Sequence, residues 1–283
     1  MDLGHPAIQS GILPLTFALV LTAVLRVAGG SGWGSRTASG AVGIALLAST
    51  LLVLGPPAWP AHTGMQKFFY LAAGSLLLGT VLDLQRAPPR LLLSTGLIGM
   101  TAAFVWLAWP QLDSQYTRWL LAAIWLVALI MALRLARRPA DDRTAPLMFL
   151  VAAASLGGIA AIAGSLSIAE LGFALAAALA GFLLWNWPRP RYRFGAAGLL
   201  GAGVPVLALA LLTLLLTDVS PWSLTPLVLI FGADAVSRHL PAGTGLLRQT
   251  LQPVYLVLLG SVPGALAMAL AWLTRQPDSL YYQ

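Results

Sequence analysis

The chain has 283 residues, of which 59% are hydrophobic and 9% charged, and its mean hydropathy is +0.85. Soluble domains carry about 25% charged residues and about 45–50% apolar ones, so this composition excludes a water-soluble globule. The formal net charge of +7 sits in short segments between apolar runs, which leaves no basic face to track a phosphate backbone and excludes nucleic acid as a partner.

No polar stretch is long enough for a second, soluble domain, so residues 1–283 are expected to form a single transmembrane domain whose partner is the lipid bilayer. Cysteine is absent, which excludes disulfides, thiolate catalysis and cysteine-based metal centres. Three histidines (His5, His62 and His239) are too few for a histidine-rich metal cluster, and neither a metal nor a cofactor is expected. Fifteen arginines against one lysine, with abundant alanine, glycine and leucine, are the usage of a GC-rich bacterial genome. The expected location is therefore a bacterial inner membrane. Asp2 and His5 stand where a cleavable signal peptide would carry its basic region, so none is read.

A spanning helix needs about 20 mainly apolar residues. Runs of that kind occur at 11–28, 39–57, 68–84, 91–109 and 117–136, then at 147–164, 168–187, 195–217, 224–240 and 251–273. Prolines 56, 57, 88, 89, 110, 139, 188 and 221 fall at or beside the ends, where proline breaks few helical hydrogen bonds. The expected fold is an all-α polytopic membrane bundle of about ten transmembrane helices. Its weakest members are the third span, which is short, and the ninth, which is short and holds Pro226, Asp234 and Arg238.

Of the 16 basic residues, 13 lie at the first, third, fifth, seventh and ninth connections; Lys67, Arg118 and Arg275 are the others. The positive-inside rule makes those five connections cytoplasmic and both termini extracytoplasmic. Tryptophans 33, 59, 109, 119, 185, 187, 222 and 272 fall near span ends, as an interfacial aromatic belt requires. A weak parallel repeat relates residues 11–109 to 168–273. Gly40 and Gly43 match Gly195 and Gly198, and Asp83 with Arg86 matches Asp234 with Arg238.

Asp234 is the leading candidate for chemistry. It lies about ten residues, or about 15 Å, into its span, and ionisable groups at such depth face a bundle interior or cavity and mark ion or substrate paths. Arg238, at i+4, shares its face, and His239 adds a titratable group at the cytoplasmic edge; a neutralised structural pair that snorkels to the cytoplasmic interface is the favoured alternative to a pathway role. Asp83 completes the pathway candidates, although an interfacial ion pair with Arg86 at the helix end is the favoured reading of it. Ser167 and Glu170 match an S-x-x-E capping box at the start of the seventh span. His62 and Lys67 lie in a rigid Pro/Trp-rich outer loop, and Gly29–Gly34 reads as a flexible turn.

Small residues fill the sixth and seventh spans and the start of the eighth, including Gly157, Gly158, Gly181 and Gly198. Close backbone approach drives helix association in lipid, so these three helices are expected at the packed centre. Pro205 and Pro263 are expected to kink the eighth and tenth.

Three functions fit. Ten spans, short loops and a deep carboxylate suit a transporter or flippase of a small metabolite or lipid. Low polarity suits a non-catalytic subunit or assembly component with membrane-protein partners. An intramembrane lipid-modifying enzyme is the third, but no paired carboxylates or nucleophile–base cluster supports catalysis. In length and span number alone the chain resembles the drug/metabolite transporter superfamily. No motif carries residues over, and extracytoplasmic termini depart from that family's arrangement.

Overall fold

In hydrocarbon every backbone N–H and C=O must be satisfied within the protein, so lone spanning segments are helical. The computed structural model is accordingly all-helical through the described residues, which are 6–109, 115–136, 139–140, 142–239 and 245–275. Helix α1 (Leu13–Ala28) follows a π-helical turn, Ile8–Ile12. Then come α2 (Gly40–Leu54), α3 (Gly64–Leu84), α4 (Pro89–Ala108), α5 (Gln115–Ala136) and α6 (Thr144–Ile162). They are followed by α7 (Leu166–Trp185), α8 (Ala196–Leu216), the broken helix α9 (Pro221–Ser237) and α10 (Gly245–Thr274). Among the described residues eight helices are long and apolar enough to cross a bilayer: α1 with its preceding turn, α3 to α8, and α10. The protein is a multi-pass membrane helix bundle. Residues Pro110, Arg137, Arg138 and Leu240, which entered the span and loop assignments, lie outside the described residues, as does the side chain of Arg248.

The short members are the second and ninth, not the third and ninth. Helix α3 starts four residues before the apolar run because Thr63 caps it. The Thr63 hydroxyl accepts from Gln66 N–H while the Gln66 side chain accepts from Thr63 N–H, a reciprocal box that satisfies two otherwise orphaned donors. Helix α2 stops at Leu54 because Gly55 takes φ +74°, a conformation glycine adopts without steric cost. Helix α9 comes in three pieces, Pro221–Leu224, Leu227–Ile230 and Ala233–Ser237, with Pro226 at the first break. Helix α10 runs 30 residues through Pro253 as well as Pro263.

The glycine cluster after α1 is helical rather than a free turn. Gly30–Gly34 forms a π-turn and Ser35–Thr37 a short helix. A Cβ at Gly34 would stand 2.6 Å from the carbonyl oxygens of Leu25 and Arg26. Only a hydrogen fits there.

Helices α6, α7 and α8 form the centre, with 72, 67 and 56% of their most apolar stretches buried, against 33% or less in the other long helices. A Cβ on Gly172 of α7 would lie 2.7 Å from the Cα of Gly157 on α6, so the two backbones touch directly. Helix α2 joins this core, with Gly40, Ala41, Val42, Gly43, Ala45 and Leu46 all buried. Its small residues were not among those expected to mark the centre.

The connections sort into two groups at opposite ends. At one end Asp83 meets the start of α8, Arg143 meets the α7–α8 connection, and Arg134 meets Asp234. At the other, Lys67 Nζ donates to Trp106 O at 2.9 Å, and Ser223 Oγ lies 3.2 Å from Thr274 Oγ1. Helix α9 thus begins beside the end of α10 and finishes beside the end of α5. Tryptophans 33, 59, 109, 119, 222 and 272 project outward from helix ends and connections as exposed side chains.

Candidate functional site

The last piece of α9 turns Asp234 inward until its residue exposure is 2%. Arg134, in the last turn of α5, donates from Nη2 to Oδ1 at 2.6 Å. Arg238, one turn further along α9, donates from Nη2 to Oδ2, also at 2.6 Å. The side chains of Arg134 and Arg238 remain 38 and 54% exposed. Among the described residues one buried carboxylate therefore holds two guanidinium groups. A buried ion pair is sustainable only when its remaining hydrogen-bonding capacity is met, and here the arginine side is open to the surface. His239 is exposed and joins no ion pair among the described residues.

Arg134 is the member that sequence reasoning missed, having been read as an orientation marker only. A signal was present. Arg134 lies between Leu133 and Leu135 inside an apolar run, whereas Arg137 and Arg138 follow where that run ends.

Next to this cluster lies a cavity of about 430 Å³ between α4, α5, α6, α8 and α9. Leu97, Val127, Phe149, Leu207 and Val228 represent its five walls. Trp222 and Thr225 are its only lining residues with a side-chain polar hydrogen, both at the outset of α9. Met131 and Leu135 on α5 and Phe231 on α9 also line it, each within a turn of Arg134 or Asp234. The Arg134–Asp234 bridge consequently ties two cavity walls together at one end. Helix α5 is the least buried of the long helices, at 11%, so this wall is held mainly by α4 and by the ion cluster.

Asp83 does not pair with Arg86. Its Oδ1 accepts from Ala196 N–H and its Oδ2 from Ala197 N–H, both at 2.8 Å. The C-terminal turn of α3 thereby supplies the N-terminal anchor of α8, where free N–H groups and the helix dipole favour a carboxylate. Gly195 permits the approach, since a Cβ there would stand 2.5 Å from Oδ1. Asp83 and Asp234, which the expected repeat would match, sit in unlike surroundings.

Glu170 is not a capping residue. Helix α7 begins at Leu166 with Ser165 as N-cap, two residues before the position the box requires, so Glu170 falls in the second turn. It is buried to 9% exposure and makes no hydrogen bond among the described residues. His62 N–H donates to Gln66 Oε1 at 2.9 Å, and the ammonium of Lys67 lies 5.8 Å from the Trp106 ring centroid. Both belong to the α2–α3 connection and its junction with α4.

Arg143 braces the arginine-rich end by donating from Nη1 to the carbonyls of Asn186 and Pro188, at 3.2 and 2.8 Å. Burial draws its guanidinium below the usual value, against the opposing charge of Asp142. Asn186 accepts in turn from Arg191 and Tyr192 N–H, at 2.8 Å each. Among the described residues no three His, Asp or Glu side chains converge to hold a metal ion. No protein-family model matches the chain, and no curated protein sequence does.

Proposed function

We propose that this protein is a transporter or flippase, with lipid as the favoured cargo, and that its path runs through the cavity beside α5. One observation carries the reading: an apolar space of about 430 Å³ lies between five helices, and its lining includes Met131, Leu135 and Phe231, each within a helical turn of Arg134 or Asp234. Its walls offer almost no hydrogen-bonding side chains, which suits hydrocarbon and disfavours sugars, amino acids or bare ions. In this reading the chain crosses a bacterial inner membrane ten times, and α2 and α9 are the short crossings. Both termini are extracytoplasmic. The arginine-rich connections support that orientation, as does the grouping of connections at two ends.

The test is translocation in vesicles. Purified protein reconstituted with a headgroup-labelled fluorescent phospholipid should accelerate exposure of the label to a membrane-impermeant quencher. Ala128→Phe, which fills the cavity from α5, should slow this at least about tenfold without lowering the melting temperature. An unfilled cavity that moves no lipid, or an Ala128→Phe variant as active as the parent, contradicts the reading.

A further inference from the structure

The ion cluster at the cavity's end has more donors than its carboxylate uses. Each guanidinium has five N–H donors, and Arg134 and Arg238 each direct one nitrogen, Nη2, at Asp234. Among the described residues two arginines share a single aspartate, so guanidinium groups outnumber carboxylates there. Forked N–H groups in this arrangement match the oxygens of a phosphate or carboxylate better than any neutral group. The adjoining cavity is hydrocarbon-like up to Met131, Leu135 and Phe231, and those residues lie within a turn of the cluster.

We infer that the site takes an anionic amphiphile, its hydrocarbon chain in the α4–α5–α6–α8–α9 cavity and its phosphate or carboxylate headgroup on Arg134 and Arg238. This rests on the cavity being the cargo path and adds the charge of the headgroup. Asp234 is a positioning residue in the scheme: it orients the two guanidiniums and touches no ligand. Both positive charge and proximity are needed. A cavity alone would accept the acyl chain of any bilayer lipid, and an exposed arginine alone would bind anions without regard to a chain.

Binding to purified protein in neutral detergent separates these cases. The probes are dodecyl phosphate, dodecanol and inorganic phosphate, read by native mass spectrometry and by shift in melting temperature. Dodecyl phosphate should bind about tenfold more tightly than dodecanol, as one charge-assisted contact predicts, and inorganic phosphate should not bind measurably. Arg134→Gln and Arg238→Gln should each reduce the preference to about threefold or less while retaining chain binding. Arg134→Lys, which keeps the charge and loses the fork, should fall between.

Equal binding of the two dodecyl probes overturns the headgroup inference, as does a preference that survives both glutamine variants. Strong binding of inorganic phosphate also overturns it, by showing an anion site independent of the chain. Ala128→Phe tests the underlying path separately. If it leaves both dodecyl probes bound as before, the chain does not occupy the cavity and the cargo path fails along with the inference.

Discussion

Arg134 and Asp234 are 100 residues apart in sequence and 2.6 Å apart in space. Their bridge ties the end of α5 to the last piece of α9 and combines charge with burial. Removing the charge of Asp234 would leave Arg134 and Arg238 repelling each other across a buried amide. Asp234→Asn should therefore lower stability by about 1–3 kcal/mol, the cost of an unsatisfied buried partner. Arg134→Gln should cost less, because Arg238 still neutralises the carboxylate. A double-mutant cycle on Arg134 and Asp234, followed by thermal unfolding in detergent, should return a coupling well above the few tenths of a kcal/mol seen for independent sites.

Asp83 makes a different demand. As the anchor of the α8 N-terminus it should behave like a helix cap, so Asp83→Ala should cost about 0.5–2 kcal/mol. Arg86→Ala should cost almost nothing. Similar losses for both variants would revive the Asp83–Arg86 pair. Arg86 adopts φ +54°, so Arg86→Gly should match or exceed the stability of the parent.

The contact of Gly157 with Gly172 is tested by the smallest possible change. Gly172→Ala puts a methyl 2.7 Å from a backbone carbon and should destabilise by about 1–3 kcal/mol. Gly74→Ala, where nothing lies within 4 Å of the added methyl, should be neutral. Comparable melting temperatures for the two would mean that α6 and α7 are not in backbone contact.

Much of this architecture was open to a reading of the chain. Hydropathy is a local property, so the eight long helices followed from run length, and the centre formed by α6, α7 and α8 followed from their small residues. Boundaries depended on cap chemistry that competes over a few positions. Thr63 and Gln66 form the capping box, whereas Ser167 and Glu170 only match its pattern, because α7 already begins at Leu166. The site was half legible. Asp234 and Arg238 share one helix face, and i+4 spacing reveals them. Arg134 and the α8 N–H groups that bind Asp83 lie on other helices, and no local periodicity encodes which helices become neighbours.

Topology gives an independent check. A reporter fused after Thr274 should behave as extracytoplasmic, and one inserted at Arg191 as cytoplasmic, because basic connections are retained inside. A cytoplasmic reporter after Thr274 would mean that one short helix, α2 or α9, fails to cross.

The most direct test of the cavity as a lipid path is photocross-linking in membranes. A phospholipid with a diazirine at the end of one acyl chain would be activated in vesicles containing the protein, and labelled peptides mapped to residues. Ordinary bilayer contact labels outward positions such as Leu126, Ile130 and Leu229, which are exposed. The account predicts additional labelling at cavity positions Ala128, Met131 and Val228, lost in a variant filled at Leu207→Trp while the outward labelling persists. Labelling confined to the outward positions would contradict it.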